Sequence, residues 1–233
     1  MKITHIPFQD TGFFSKTMKD YLEKDNKMKP FYNNFPDING FKKQIEEKQS
    51  SFLKENRTVL LEALKQQYKN VAISDKTQEN INSLSLENTF TVTTGHQLNL
   101  FTGPLYFLYK IMCAVNLAEE LSEKFPNQNF VPVYWMATED HDFDEINYFN
   151  FKGKKIQWNR EDGGAVGRFS TKGLENVYNK FSNQLGDSRN AQYLKELFYK
   201  GYIEHNNLAD ATRYIANELF AEYGLVIVDG DDT

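Results

Sequence analysis

Two short stretches of this 233-residue chain carry the side chains able to do chemistry. The first runs Thr94-Gly95-His96-Gln97-Leu98-Asn99-Leu100-Phe101-Thr102-Gly103-Pro104. It gathers uncharged donors and acceptors on Thr94, His96, Gln97, Asn99 and Thr102, with glycines at Gly95 and Gly103. A donor-rich turn without carboxylates suits phosphate or carboxylate oxygens. A helix starting at Thr102-Gly103-Pro104 would add unpaired N–H groups that attract negative charge. The spacing is neither the dinucleotide fingerprint GxGxxG nor the Walker loop GxxxxGK[ST], so the chemistry rests on the side chains. His96 can donate to an oxyanion when charged, move protons near neutral pH, or simply order the turn.

The second stretch is Thr138-Glu139-Asp140-His141-Asp142-Phe143-Asp144-Glu145. Its carboxylates could hold Mg²⁺ shared with nucleotide phosphates, since hard oxygen ligands suit that ion. No HExxH or cysteine pair supports zinc. The same residues could instead take an amine or sugar hydroxyls directly. An acidic helix start is the plain structural alternative, and it fits Asp144 and Glu145 better than Asp140 and His141.

The elements around these stretches place them side by side. The β-branched run over 89–94 predicts a buried strand. Leu105, Leu108, Ile111, Met112, Val115, Ala118 and Leu121 predict an amphipathic helix over about 104–125, with Pro104 where no N–H is missed. The nearly continuous apolar run 130–137 predicts a strand buried on both faces, and Pro132 places it near a strand start or at a sheet edge. Strand, helix and strand make a βαβ unit whose two loops open at the same end of a parallel sheet.

Tyr148-Phe149-Asn150-Phe151 and Lys155-Ile156-Gln157-Trp158 alternate around Lys152-Gly153 as a hairpin. The glycine-rich segment 161–168 is either a connector or a substrate-covering flap. Helices are expected over about 171–185, 190–199 and 208–223, with Gly224 as a C-terminal cap. A last buried strand, 225–228, ends at Asp229 on the far side of the crevice. A sheet strand as the final element predicts a core that continues beyond Thr233.

Residues 1–40 are irregular and aromatic. Helical periodicity follows over 41–68, broken near the polar run 46–51, and 70–88 is polar with a short helix. We therefore expect an N-terminal arm with helices over 1–88, packed on an α/β core over 89–233.

Bulk properties narrow the function. A net charge of −5 leaves no basic footprint for nucleic acid. No apolar run approaches a membrane span, and Met1-Lys2-Ile3-Thr4-His5 leads into no signal segment. The one cysteine, Cys113, forbids an intrachain disulfide, suits a cytoplasmic setting, and reads as a small buried hydrophobe in the helix.

With these residues in view, the chain resembles the bacillithiol biosynthesis cysteine-adding enzyme family. The matching features are Thr94-Gly95-x-Gln97 with Thr102-Gly103-Pro104-Leu105-Tyr106, and Trp135-Met136-Ala137-x-Glu139-Asp140-His141-Asp142-Phe143-Asp144-Glu145. Gly164-Ala165-Val166-Gly167-Arg168, the closing Tyr223-Gly224-Leu225-Val226-Ile227-Val228-Asp229 and the early Pro30-Phe31-Tyr32 match as well. The likeness spans essentially the whole chain. It implies a Rossmann-like core related in outline to class I aminoacyl-tRNA synthetases and other nucleotidyltransferases, in a protein about twice as long whose remaining part holds a coiled coil.

It also implies a ligase joining cysteine to glucosaminyl-malate in the last step of bacillithiol synthesis, with a homodimer as the full-length form. ATP or ADP, with Mg²⁺, are the cofactors this leaves open, and no protein metal site is expected. On this reading His141, Asp140 and His96 are the catalytic candidates. Thr94, Gly95, Gln97, Asn99, Thr102, Gly103, Glu139, Asp142 and Asp229 are the binding candidates. The alternative is the nucleotide- or metabolite-binding half of a nucleotidyltransferase-like enzyme with another substrate, inactive alone.

Overall fold

Three parallel strands carry both chemical loops in a computed structural model that describes residues 4–161 and 163–232. Residues 1–3 of the amino-terminal stretch and Asp162 of the glycine-rich segment lie outside the described residues. The strands β1 (Thr89–His96), β2 (Asn129–Met136) and β5 (Val226–Asp229) stand in the order β1-β2-β5. Their register sets His96 beside Met136 and Met136 beside Asp229, so all three carboxyl ends finish level. A separate antiparallel hairpin joins β3 (Tyr148–Phe151) to β4 (Lys154–Gln157). Its turn residues Lys152 and Gly153 both have positive φ, the geometry a right-twisted two-residue hairpin requires.

Two expectations about the sheet are corrected. β1 is half-buried rather than buried: Thr91, Thr93 and Gly95 are exposed, and among the described residues it pairs with β2 alone. It also runs on through Gly95 and His96. β2 is the central strand, although Pro132 suggested an edge or a start. The proline is tolerated because pairing with β5 begins only at Val133, one residue further on.

One face of β1 and β2 is covered by the helix Tyr106–Lys124. Phe107, Ile111, Ala114, Val115, Ala118 and Leu121 form its buried stripe. The stripe is rotated from the expected one, leaving Leu105 exposed before the helix and Cys113 exposed on it, so the cysteine is not a buried hydrophobe.

In chain order the helices are α1 (Lys16–Leu22), α2 (Ile38–Ser51), α3 (Lys54–Gln67), α4 (Asp75–Ser83), α5 (Tyr106–Lys124), α6 (Phe143–Ile146), α7 (Leu174–Ser182), α8 (Arg189–Phe198) and α9 (Leu208–Phe220). No described helix is long and apolar enough to cross a membrane. Residues 221–223 tighten into a 3₁₀ turn, and Gly224, at φ 70°, closes it.

The free edge of β5 is sealed by side chains that stand in for a neighbouring strand. The Gln67 amide accepts from Asp229 N at 3.0 Å and donates to Asp229 O at 3.1 Å. The Tyr68 hydroxyl accepts from Ile227 N at 2.6 Å, and buried Arg213 donates to Ile227 O at 3.2 Å. Backbone groups that would otherwise be orphaned are thereby paired. Arg57 does similar work before β1, donating to the carbonyls of Leu84, Glu87 and Thr89.

The chain divides into two compact units, Met1–Phe52 and Leu53–Thr233. Helices α3 and α4 therefore belong with the sheet, and the division falls 36 residues before the 88/89 boundary read from composition. Within the first unit, Ser15 and Asp37 cap α1 and α2 by accepting from Met18 N and Gly40 N. Tyr21, Tyr32 and Phe35 cluster there, Tyr32 edge to face with the other two rings.

Candidate functional site

The loop leaving β1 is held in a conformation few residues adopt. Phe101, Thr102 and Gly103 are successive positive-φ residues, at 47°, 67° and 52°. A bulky residue in that region is strained unless its surroundings fix it. Phe101 is fixed twice: its N–H donates to the Tyr202 hydroxyl at 2.7 Å, and its ring packs on Phe149, Phe181 and Phe198 with centroids 5.0–5.7 Å away. At Gly103 a Cβ would lie 2.6 Å from the Asn99 Cβ, so only glycine fits.

That turn directs the polar side chains of the loop. Asn99 is only 4% exposed. Its amide donates to Glu145 O at 3.5 Å, and its Oδ1 is a buried acceptor without a partner among the described residues. Gln97 bridges to the second loop, its amide donating to Asp140 Oδ2 at 2.9 Å and to Glu145 Oε2 at 3.0 Å. His96 is half-buried against Phe107, its Nδ1 3.2 Å from Gln97 O. Burial, the dominant influence, holds its imidazole below the usual histidine range, so it is uncharged at neutral pH.

The loop after β2 is organised by Asp140. Its Oδ1 accepts from His141 N at 2.6 Å and Asp142 N at 3.1 Å, while Oδ2 takes the Gln97 amide. Burial pushes its carboxyl upward, but Gln97 and the two backbone N–H groups outweigh it and hold the group below the usual carboxylate range. The His141 side chain is 80% exposed, with its ring nitrogens about 4 Å from Asp140 and Asp142 (4.0 and 3.9 Å). Glu139 accepts from the Trp135 indole N–H at 3.3 Å.

The third wall comes from β5. The buried Thr138 hydroxyl donates to Asp229 Oδ1 and accepts from Asp231 N at 2.9 Å. Asp229 Oδ2 lies 3.9 Å from Arg213. Arg168 grips Asp231 with two bonds of 2.6 and 2.8 Å. The end of the glycine-rich segment is docked on the second loop, through Val166 N to Asp140 O at 2.7 Å and Gly167 N to Thr138 O at 3.0 Å. A Cβ at Gly167 would lie 2.6 Å from that of Thr138. This docking holds the later part of the segment, whereas a Cβ added at Gly163 or Gly164 would meet nothing within 4 Å.

The structure thus brings together Gln97, Asn99, Asp140 and Glu145, and links Thr138, Asp229, Asp231 and Arg168. Thr94, Gly95, Thr102 and Gly103 make no hydrogen bond to the second loop among the described residues. Among those residues no group of three or more His, Cys, Asp or Glu could hold a metal ion. Thr138, Trp135 and Arg168 lie in stretches singled out from the sequence but received no role there, because no local spacing marks the pairs Thr138–Asp229 and Arg168–Asp231.

A family described as "Bacillithiol biosynthesis BshC, N-terminal Rossmann-like domain" matches residues 1–233. BshC proteins named as candidate cysteine ligases are similar along nearly the whole chain. That of Flavobacterium johnsoniae is 60% identical, and that of Flavobacterium psychrophilum 59%, each over 97% of this chain and 43% of its own length. That of Bacillus cytotoxicus is 31% identical over 90% of this chain and 40% of its own length. The chain therefore spans less than half the length of these relatives.

Proposed function

This chain belongs to the bacillithiol biosynthesis BshC family, and from that membership we propose that it forms one wall of a ligase joining cysteine to glucosaminyl-malate through an amide bond. The observation that carries this reading is the Gln97 bridge, which ties the loops after β1 and β2 into one rim of carboxylates. Such a rim attracts the ammonium of an amino sugar and favours its approach. Forming the amide requires an activated cysteine carboxyl and a neutral amine, so the ammonium must first lose a proton. ATP is the proposed source of the activating group. The cysteine carboxylate attacks a phosphorus with loss of ADP or pyrophosphate, and the neutral amine then displaces phosphate or AMP from the acyl carbon. The donor-rich first loop is the proposed seat for the acyl or phosphoryl oxygens.

Asp140 is poorly suited to take the proton, because its lone pairs already accept three N–H groups. His141 is exposed and half-buried His96 is uncharged, so a histidine is the better base. The test is mass-spectrometric detection of the product from cysteine, glucosaminyl-malate and ATP. It is run in this chain and in a protein of the relatives' length that carries it. Alanine at both His141 and Asp140 should abolish product, and unchanged turnover in that double variant refutes the assignment. Ligand binding without turnover in the chain alone would support a second reading, a binding half that needs further sequence. That reading is favoured by the 43% coverage of the relatives.

A further inference from the structure

The geometry points to Trp135 as a stacking platform for the hexosamine ring of the acceptor, an inference that rests on the ligase reading. Trp135 is 42% exposed, whereas its neighbours on β2 from Phe130 to Met136 are buried. It stands at the carboxyl end of the central parallel strand, the end at which ligands bind in open α/β sheets.

Its surroundings keep it open and fixed. Gly95, its register partner on β1, presents no side chain, and a Cβ there would sit 3.9 Å from Trp135 Cδ1. On the other side, a Cβ at Gly230 would lie 3.0 Å from Trp135 Cζ2 and run into Glu139 Oε2. Two glycines thus flank opposite edges of the indole. The ring N–H is tied to Glu139 Oε1 at 3.3 Å, which fixes the ring plane and sets a carboxylate at its rim.

A fixed aromatic face beside a carboxylate matches the chemistry of an amino sugar. The C–H face of the ring lies on the π surface while hydroxyl or ammonium hydrogens reach the carboxylate, and a cation near the ring gains further attraction. Glu139, Asp140 and Asp142 on the same loop would repel a polyphosphate brought to this spot. The platform therefore suits the sugar rather than a nucleotide.

The chain has two tryptophans, and the other, Trp158, is 3% exposed. Acrylamide-quenchable emission of the unmodified chain therefore reports Trp135. Glucosaminyl-malate and glucosamine should protect that emission, and malate should not. Trp135→Ala should weaken glucosaminyl-malate binding about tenfold by calorimetry. Gly95→Val, which keeps the indole but crowds it, should weaken binding likewise and guards against a Trp135→Ala variant that fails to fold. Calorimetric binding of glucosaminyl-malate with unprotected emission and wild-type affinity in both variants overturns the platform and leaves the ligase reading standing. No heat from glucosaminyl-malate in the wild type overturns both. Protection by ATP alone assigns the ring to a nucleobase and overturns the sugar assignment.

Discussion

Replacing Gln97 by leucine should uncouple the two loops at a cost that can be worked from the geometry. The amide makes two bonds to carboxylates, at 2.9 Å to Asp140 and 3.0 Å to Glu145. Hydrogen bonds to charged groups contribute about 1.5–3 kcal/mol when shielded. The Asp140 side chain is 23% exposed, so its bond belongs near the low end of that range. The Glu145 contact is exposed and adds less than about 1 kcal/mol. The expected loss is about 2 kcal/mol, read by urea unfolding through Trp158 emission as a lower midpoint at unchanged slope.

A double-mutant cycle with Asp140→Ala should return a coupling of about 1–1.5 kcal/mol. The pH dependence has a fixed sign. The folded Asp140 carboxyl sits below its ordinary value, so its contribution is complete above the unfolded value of about 3.9 and is lost as pH falls through the folded one. Gln97→Leu removes part of that depression, so the stability gap between wild type and variant should narrow on acidification from about pH 6 toward pH 3. A coupling below about 0.3 kcal/mol, or a gap that holds constant across that range, would refute the bridge as the element joining the loops.

Two further outcomes test the loop after β1. Gly103→Ala must take a left-handed φ and place its Cβ 2.6 Å from Asn99, so it should lose about 3 kcal/mol in the same unfolding assay. Gly163→Ala, with open space around it, serves as the near-neutral control, and equal losses in the two would sink the steric account. Tyr202→Phe strips the acceptor from Phe101 N–H, which should cost about 1–3 kcal/mol and speed hydrogen exchange at the Phe101 amide. Exchange at wild-type rate would show that the aromatic cluster alone holds the turn.

The βαβ unit, the hairpin and the closing strand were legible because each carries a local signal. Those signals are β-branched runs, a helical stripe and a Lys152-Gly153 turn. The half-exposure of β1 contradicts the buried strand that its β-branched content predicts, although the alternation Phe90-Thr91-Val92-Thr93 carries it. The rotated stripe of α5 was not legible, because the helix begins at Tyr106 only after three positive-φ residues reset its phase. The sealing of β5 by Gln67, Tyr68 and Arg213 joins residues about 160 positions apart, or lying on different helices, and no local pattern announces it. In the crevice, residue type identified the right loops but not the roles within them.

Those roles follow from counting hydrogen-bond capacity against exposure. Asn99, a binding candidate by residue type, and Thr138 are both buried, the Asn99 amide donating to Glu145 O and the Thr138 hydroxyl to Asp229. They position the loops. Asp229 is held by Thr138, Gln67 and the approach of Arg213, so its carboxylate faces the protein and can act on substrate only through its field. Asp140 has accepted three donors, which favour its charged form and make it a weak base. What remains open at the carboxyl ends of the strands is His141, Asp142, Glu139 with its indole partner, and Arg168 on Asp231. A site built this way separates its tasks: engaged carboxylates fix the two loops and the local potential, and the exposed histidine is left free to move the proton. For that reason the Asp140→Ala change should act mainly through loop position, and His141→Ala mainly through proton transfer. Single-variant turnover with and without added imidazole would tell them apart, since a free base should rescue only the loss of the histidine.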